Sequence, residues 1–246
     1  MDETINLLVN AARFVAHKGV RRFTRYLDPA QVVQARQIAR EYGVLFCAWG
    51  GYERSERQIG CFYTADDGDI SFEEYPITCL SARIAAKFCH VTHRDLLGSF
   101  MALGLTRDCI GDIIIVSDRV YLFVHEQTAD FIAVSMTSAG KASLSFEIMD
   151  RAPDIPEPKG TSFSAVVSSL RLDAVLAAAY HLSRSEAASA IRSGLVKVNH
   201  LPEERTDIPL AEDTLLSLKG KGRVRFVRIN GETRKQRIGI TLFRYE

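Results

Sequence analysis

The chain has no apolar run near the roughly 20 residues that a membrane helix needs. Its densest stretch, Ile113-Ile114-Ile115-Val116, is only strand-sized. No membrane span is therefore expected. The start, Met1-Asp2-Glu3, is acidic where an export signal would be basic, so no such signal is read. Cysteine is sparse and odd in number: Cys47, Cys61, Cys79, Cys89 and Cys109, with no Cys-x-x-Cys pair. That argues against a disulfide scaffold and fits reduced thiols in a cytoplasmic protein. No phosphate loop is present. Gly50-Gly51 and Gly220-Lys221-Gly222 lack the strand–Gly-x-Gly-x-x-Gly–helix context, and Gly-Lys-Ser/Thr is absent, so no nucleotide cofactor is expected. Net charge is also nearly absent, with 31 basic against 30 acidic residues.

What is there is ordinary globular usage, 47% hydrophobic and 25% charged, which excludes a wholly disordered chain. At 246 residues the chain holds one large domain or two to three small ones. The small net charge hides an asymmetry. Residues 164–246 carry 14 basic and 9 acidic side chains, and the last 30 residues carry 9 basic and 2 acidic. A bias of this kind suits either a polyanion partner or a solvated basic tail.

The clearest boundary is residues 150–160, with three prolines (Pro153, Pro156, Pro158) within six residues. Each fixes φ, removes a donor and pushes the preceding residue toward extended geometry, so 151–163 reads as a linker. Residues 76–150 predict β-α-β-β-α-β. The strands are Ile77–Ile84, Asp112–Val116, Val120–Val124 and Ser143–Met149. One helix runs from His93 to Leu103, capped by Thr92 with Asp95 three residues on, and the other from Gln127 to Thr137. This is the ferredoxin-like unit. Residues 1–75 read as a small α/β domain. It has a helix over Ile5–His17, a second entered through Asp28-Pro29 and ended by Gly43, and strands at Val44–Ala48 and Gln58–Thr64. No coiled-coil pattern is present, and a monomer is expected.

Residues 164–246 carry the motifs with chemistry. A helix opens at Arg171-Leu172-Asp173. Ser183-Arg184-Ser185-Glu186 opens another, with Ser183 and Glu186 as a capping box. Val196-Lys197-Val198-Asn199 is a short strand, and further strands flank Lys219-Gly220-Lys221-Gly222. Arg171-Leu172-Asp173, Ser183-Arg184-Ser185, Ile191-Arg192-Ser193-Gly194 and Val196-Lys197-Val198-Asn199, in that order and spacing, resemble the S-four RNA-binding domain over about residues 165–230. A helix N-terminus offers free N–H donors and the positive end of a dipole, so Ser183, Arg184 and Ser185 can grip phosphate with Arg171. Arg192, Lys197, Asn199, Lys219, Lys221, Arg223 and Arg225 extend the candidate RNA track. The segment holds no aromatic stacking ladder. Recognition of structured RNA by shape and phosphates is therefore expected.

Over nearly its full length the chain resembles the bacterial YlmH family. The residues that carry this are Gly50-Gly51-Tyr52-Glu53-Arg54-Ser55-Glu56-Arg57, Thr92-His93-Arg94-Asp95-Leu96-Leu97-Gly98, Leu103-Gly104-Leu105 and Ile110-Gly111-Asp112-Ile113, all ahead of the S-four module. The resemblance implies an α+β chain in three parts: a small N-terminal α/β domain (1–75), an RRM-like middle domain (76–150) and an S-four-type domain (164–246). It also implies a cytoplasmic, non-catalytic factor of ribosome-associated quality control. Such a factor binds rRNA of the large subunit and tRNA, works beside a tailing factor, and supports alanine tailing of stalled chains. A link to cell division is associated with the family. Two positions depart from its pattern: Glu212-Asp213 stands where Gly-Asp is usual, and Lys219-Gly220-Lys221-Gly222-Arg223 where Arg-Gly-Phe-Gly-Arg is usual.

The same residues admit other readings. Arg171-Leu172-Asp173 also suits a pseudouridine synthase, whose catalytic aspartate has Gly before the triplet and Thr after it; Leu170 and Ala177 do not supply that context. Cys89, His90 and His93 are metal-ligand types, but no second pair completes a tetrahedral set, so no metal is expected. His93-Arg94-Asp95 lacks a nucleophile and suits a capped helix with surface charges.

Overall fold

The computed structural model describes residues 3–84, 91–151, 153–156, 159–232 and 237–245. Cys89 and His90 lie outside the described residues. Residues 1–155 form one compact unit and residues 156–246 another.

The first unit opens with α1 (Glu3–Lys18), which buries Leu8, Ala12 and Val15 along one face. Then come β1 (Arg22–Leu27), α2 (Pro29–Tyr42), β2 (Leu45–Trp49) and β3 (Gln58–Tyr63). Helix α2 begins as its sequence predicts. The Asp28 carboxylate accepts from the Gln31 N–H at 2.9 Å, and the Gln31 side chain accepts from the Asp28 N–H at 2.8 Å. Pro29 occupies the first turn, where a missing donor costs nothing. Gly43 ends the helix at φ 66°. The strands form an antiparallel sheet in the order β1-β3-β2. Strand β1 is not predicted from the sequence. Its residues do not alternate cleanly, and its register slips between Phe23 and Tyr26.

The unit continues with β4 (Ile77–Arg83), α3 (His93–Ala102), β5 (Ile110–Val116), β6 (Arg119–His125), α4 (Glu126–Ser135), the short ladder β7 (Ser138–Ala139) with β8 (Ala142–Ser143), and β9 (Phe146–Met149). The sheet order β5-β6-β4-β9, antiparallel throughout, is the expected βαββαβ topology. Thr92 caps α3 reciprocally with Asp95. The last strand is shorter than predicted because Ser143 pairs in the β7–β8 ladder instead.

The two sheets share a core. One face of β1-β3-β2 packs Leu27 and Phe62 against α1 and α2. The other packs Tyr26, Ile59 and Cys61 against Cys79 and Phe123 of the four-stranded sheet. A polar lock lies beside it. The Asp112 carboxylate of β5 accepts from Tyr52 Oη at 2.7 Å, the Glu56 N–H at 2.7 Å and the Arg57 N–H at 3.1 Å. The Arg57 guanidinium donates to the carbonyls of Tyr26, Arg107 and Ile110. Gly51, at φ 101°, lets the backbone lie on Phe123; an added Cβ would sit 2.4 Å from that ring. Residues 1–75 and 76–150 therefore pack as one unit, and the motifs that resemble the YlmH family form much of the joint.

The second unit contains β10 (Gly160–Val167), α5 (Leu172–Tyr180), α6 (Arg184–Arg192), β11 (Val196–Val198), β12 (Leu201–Pro202), β13 (Thr214–Leu218), β14 (Gly222–Glu232) and β15 (Ile238–Tyr245). They form an antiparallel sheet in the order β10-β15-β14-β13-β11-β12. The first four residues of β10 fall inside the segment read as a linker, and β15 is not among the predicted strands. Helices α5 and α6 cover one face, over Val196, Leu216, Leu218, Val224, Phe226, Ile240 and Leu242. Tyr180 fixes α5 to the sheet by donating to the carbonyls of Leu216 and Gly222.

Candidate nucleic-acid interface

The centre of the predicted site is a three-residue clamp. Asp173 lies in the first turn of α5, where a carboxylate is favoured by the helix dipole. Its backbone N–H donates to the Thr206 carbonyl at 3.0 Å, so the 203–210 segment anchors this helix end. The Asp173 carboxylate accepts from Arg171 Nε at 3.3 Å and from Arg184 Nη2 at 2.5 Å. Arg184 Nη1 donates to Ser168 Oγ at 3.2 Å. The carboxylate is the hidden member: the Asp173 side chain is 10% exposed, against 47% for Arg171 and 48% for Arg184. Burial pushes its pKa up, but the hydrogen bonds and charges of Arg184 and Arg171 outweigh this and hold it below the usual carboxylate range. Asp173 thus stays ionised at neutral pH and orients two guanidiniums whose outer portions face solvent.

This geometry also bears on the pseudouridine synthase reading. Each Asp173 oxygen accepts from one arginine, which is the arrangement of a group that positions guanidiniums.

Arg184 is locally out of place in electrostatic terms. A cation in the first turn of a helix opposes the dipole, at a cost of about 0.3–1 kcal/mol. Asp173 offsets that cost. The same turn is capped by Ser183, whose hydroxyl accepts from the Glu186 N–H at 3.2 Å while Glu186 accepts from the Ser183 N–H at 2.8 Å. Ser183 and Ser185 hydroxyls lie 3.0 Å apart. The predicted Ser-Arg-Ser grip is therefore assembled in part from residues that also hold the helix end.

The remaining predicted residues fall in separate places. Arg192 is exposed at the far end of α6, about 12 Å along the axis from Arg184. Lys221 joins the helix side. It acts on the Glu186 carboxyl, which the Ser183 hydrogen bonds and then this lysine hold below its ordinary range. Lys219 and Lys221 are exposed on a turn whose Gly220 and Gly222 take φ near +80°, a conformation that glycine alone adopts easily. Lys197, Arg223 and Arg225 point to the opposite face of the sheet, since they alternate with the core residues Val196, Val224 and Phe226. Asn199 has a structural role. At φ 46°, next to His200 at φ 71°, it forms the two-residue turn between β11 and β12, and its side-chain oxygen accepts from the Leu215 N–H at 2.8 Å.

Two features escape the sequence reading. Asp213, at φ 64° just after Glu212, where the YlmH pattern departs, pairs with Arg225 at 2.7 Å. Phe243 and Tyr245 on the unpredicted β15 lie against Arg225 and Arg223, so aromatics do accompany the basic strands. The alternation Ile238, Ile240, Leu242 was the signal that could have revealed that strand.

In the first unit, the sheet face through which RRM modules stack bases is partly occupied. Phe123 is fully buried beneath Tyr52 and the close-packed Gly51. Burial pushes the Arg107 guanidinium down to about 10, with the neighbouring Arg57 charge adding to it. These arginines belong to the joint. Among the described residues no cluster of His, Cys, Asp and Glu is placed to hold a metal ion.

Comparison with known proteins matches these parts. The family model described as "S4 domain" matches residues 170–204, and "Putative RNA-binding domain in YlmH" matches residues 71–152. A Bacillus subtilis (strain 168) protein named "Ribosome-associated protein quality control protein P2" is 35% identical over 237 residues, which is 94% of this chain and 90% of that relative. A solved structure, "Cell division protein ylmH from Streptococcus pneumoniae", is similar with a TM-score of 0.52 at 21% identity. It covers 59% of this chain and 88% of that one, a likeness of fold. Both domain matches are to RNA-binding modules, and with full-length similarity at this level the chain belongs to the YlmH family.

Proposed function

We propose that this chain is a non-catalytic, cytoplasmic RNA-binding factor that docks on the large ribosomal subunit carrying peptidyl-tRNA and supports alanine tailing of stalled nascent chains. The observation that carries the RNA-binding part is the Asp173-organised pair Arg171 and Arg184. Two cations, each about half exposed, are held in fixed orientation at adjoining helix ends. Bidentate guanidiniums in such an arrangement match phosphate oxygens, and phosphate contacts give affinity and register. The ribosomal part is supported by the name of the Bacillus relative, which describes ribosome-associated quality control. In this reading the partners are rRNA of the large subunit, tRNA and a tailing factor, and the chain acts as a monomer away from the ribosome.

The test is co-sedimentation of the purified chain with separated ribosomal subunits, with and without peptidyl-tRNA. Selective pelleting with the tRNA-loaded large subunit is expected. Pelleting with neither subunit would remove the ribosomal reading, and activity on free RNA would then favour an RNA-modifying enzyme.

A further inference from the structure

The outer face of the six-stranded sheet, opposite α5 and α6, is built from the strand register. Lys197 pairs with Ser217, and Ser217 pairs with Arg223. Arg223 lies over the Tyr245 ring at 5.3 Å. These four residues form one cross-strand row about 14 Å long at ordinary strand spacing. The next row sets Arg225 opposite Phe243. Beyond the bulge in β14, Arg228 pairs with Thr241, on the same face as Phe243 and Tyr245. The rest of this face, along β10 and β15, is Gly160, Ser162, Ser164, Gly239 and Thr241, with Val166 as an exposed apolar side chain at its end. The ring of Phe243 lies across Gly160, where an added Cβ would come within 2.5 Å of it.

We propose that this face is a second RNA surface, which takes unpaired RNA by stacking nucleobases on Tyr245, Phe243 and the Arg223 guanidinium while Lys197 and Arg228 meet the backbone phosphates. The inference rests on the RNA-binding reading above and divides it between two faces. The occupant follows from charge and shape. Four cations share the face. Asp213, which pairs with Arg225, is itself 77% exposed, so solvent and a phosphate compete for that arginine. Glu212, nearby, is spent on the Ile229 N–H at 2.6 Å. Rings and guanidinium planes matter to bases that are splayed out, since duplex bases already stack on each other. Tyr245 is held in place for stacking. Arg225 Nε donates to its hydroxyl at 2.7 Å, and Phe243 meets it edge-on with centroids 5.1 Å apart. The clamp of Arg171, Asp173 and Arg184 contains no ring, and it suits phosphates of a folded RNA.

The experiment measures anisotropy of the full chain with a labelled uridylate dodecamer and with an RNA duplex of the same length. Tyr245→Leu should weaken single-strand binding about fivefold or more, the lower end for loss of one stacked base, while duplex binding stays within about twofold. Tyr245→Phe keeps the ring and its edge contact with Phe243 while losing the Arg225 hydrogen bond, so it should lose far less single-strand affinity than Tyr245→Leu, and Arg184→Ala should weaken the duplex more than the single strand. Arg223→Gln serves as the second variant should Tyr245→Leu unfold, and the same single-strand loss is expected. Duplex binding without single-strand binding by the parent, or unchanged single-strand affinity in a folded Tyr245→Leu, would overturn this inference and leave the RNA-binding reading intact. Failure of the parent to bind either RNA would overturn both.

Discussion

Replacing Arg184 by alanine removes the guanidinium that Asp173 and Ser168 aim, and little else. About half of the side chain is exposed, so it contributes little to the core. The ion pair lost is partly solvated and is worth about 0.2–1 kcal/mol. Removing a cation from the first turn of α6 returns about 0.3–1 kcal/mol through the dipole. Asp173 keeps Arg171 as a partner. Net stability should therefore move by less than about 1 kcal/mol. RNA affinity should fall by more, about 1.5–3 kcal/mol for one charge-assisted hydrogen bond, or roughly 10- to 150-fold. The slope of log K against log salt should flatten by about 0.7–0.9 for one lost phosphate contact. Anisotropy titrations against structured rRNA fragments at several salt concentrations, with urea unfolding of the same samples, check both quantities. An Arg184→Ala protein with unchanged affinity and unchanged salt slope would refute the assignment of Arg184 to phosphate.

Asp173→Asn keeps the shape and removes the charge. Because the folded carboxyl lies below its ordinary range, its stabilisation is fully present above the unfolded value near pH 4 and is lost as pH falls through the lowered folded value. Urea unfolding should show the variant less stable at pH 7, by about 1–3 kcal/mol, with the gap closing in strong acid. Gly51→Ala places a methyl in the Phe123 ring at a positive φ, so a loss of about 2–3 kcal/mol is expected by thermal unfolding, with affinity for RNA duplex unchanged. Asn199→Ala removes the acceptor for the Leu215 N–H and a residue that tolerates the left-handed turn. It should cost about 1–2 kcal/mol in urea unfolding and leave the RNA salt slope as it is.

What was legible in the sequence was mostly local. The Asp28 cap and the pairs Thr92 with Asp95 and Ser183 with Glu186 each lie within a single turn, and all three caps form; the Gln31 side chain that completes the first was not read from the sequence. The βαββαβ order follows from period and turn residues over short spans. Arg171, Asp173 and Arg184 were legible as a motif, but the carboxylate bridging both arginines required the two helix ends to meet in space. Gly50–Arg57 was legible as a family resemblance, with no structural role attached. Its partner, Asp112, lies more than 50 residues away, and no spacing rule connects them. Strand β10 escaped for the same reason, since its partner β15 lies across the whole second unit; β15, which also pairs with its sequence neighbour β14, was legible only in the alternation Ile238, Ile240, Leu242. Missing β15 also hid Phe243 and Tyr245 from the basic hairpin, so the sequence reading placed no ring beside those cations.

The central claim is that the second unit makes RNA contacts through Arg171, Arg184 and its basic strands. Ultraviolet cross-linking of the full chain on large subunits loaded with peptidyl-tRNA, followed by mass spectrometry of the cross-linked peptides, tests it most directly. RNA adducts are expected on peptides spanning Arg171 to Lys197 and on those holding Lys219 to Arg228. Adducts confined to residues 1–155 would contradict it.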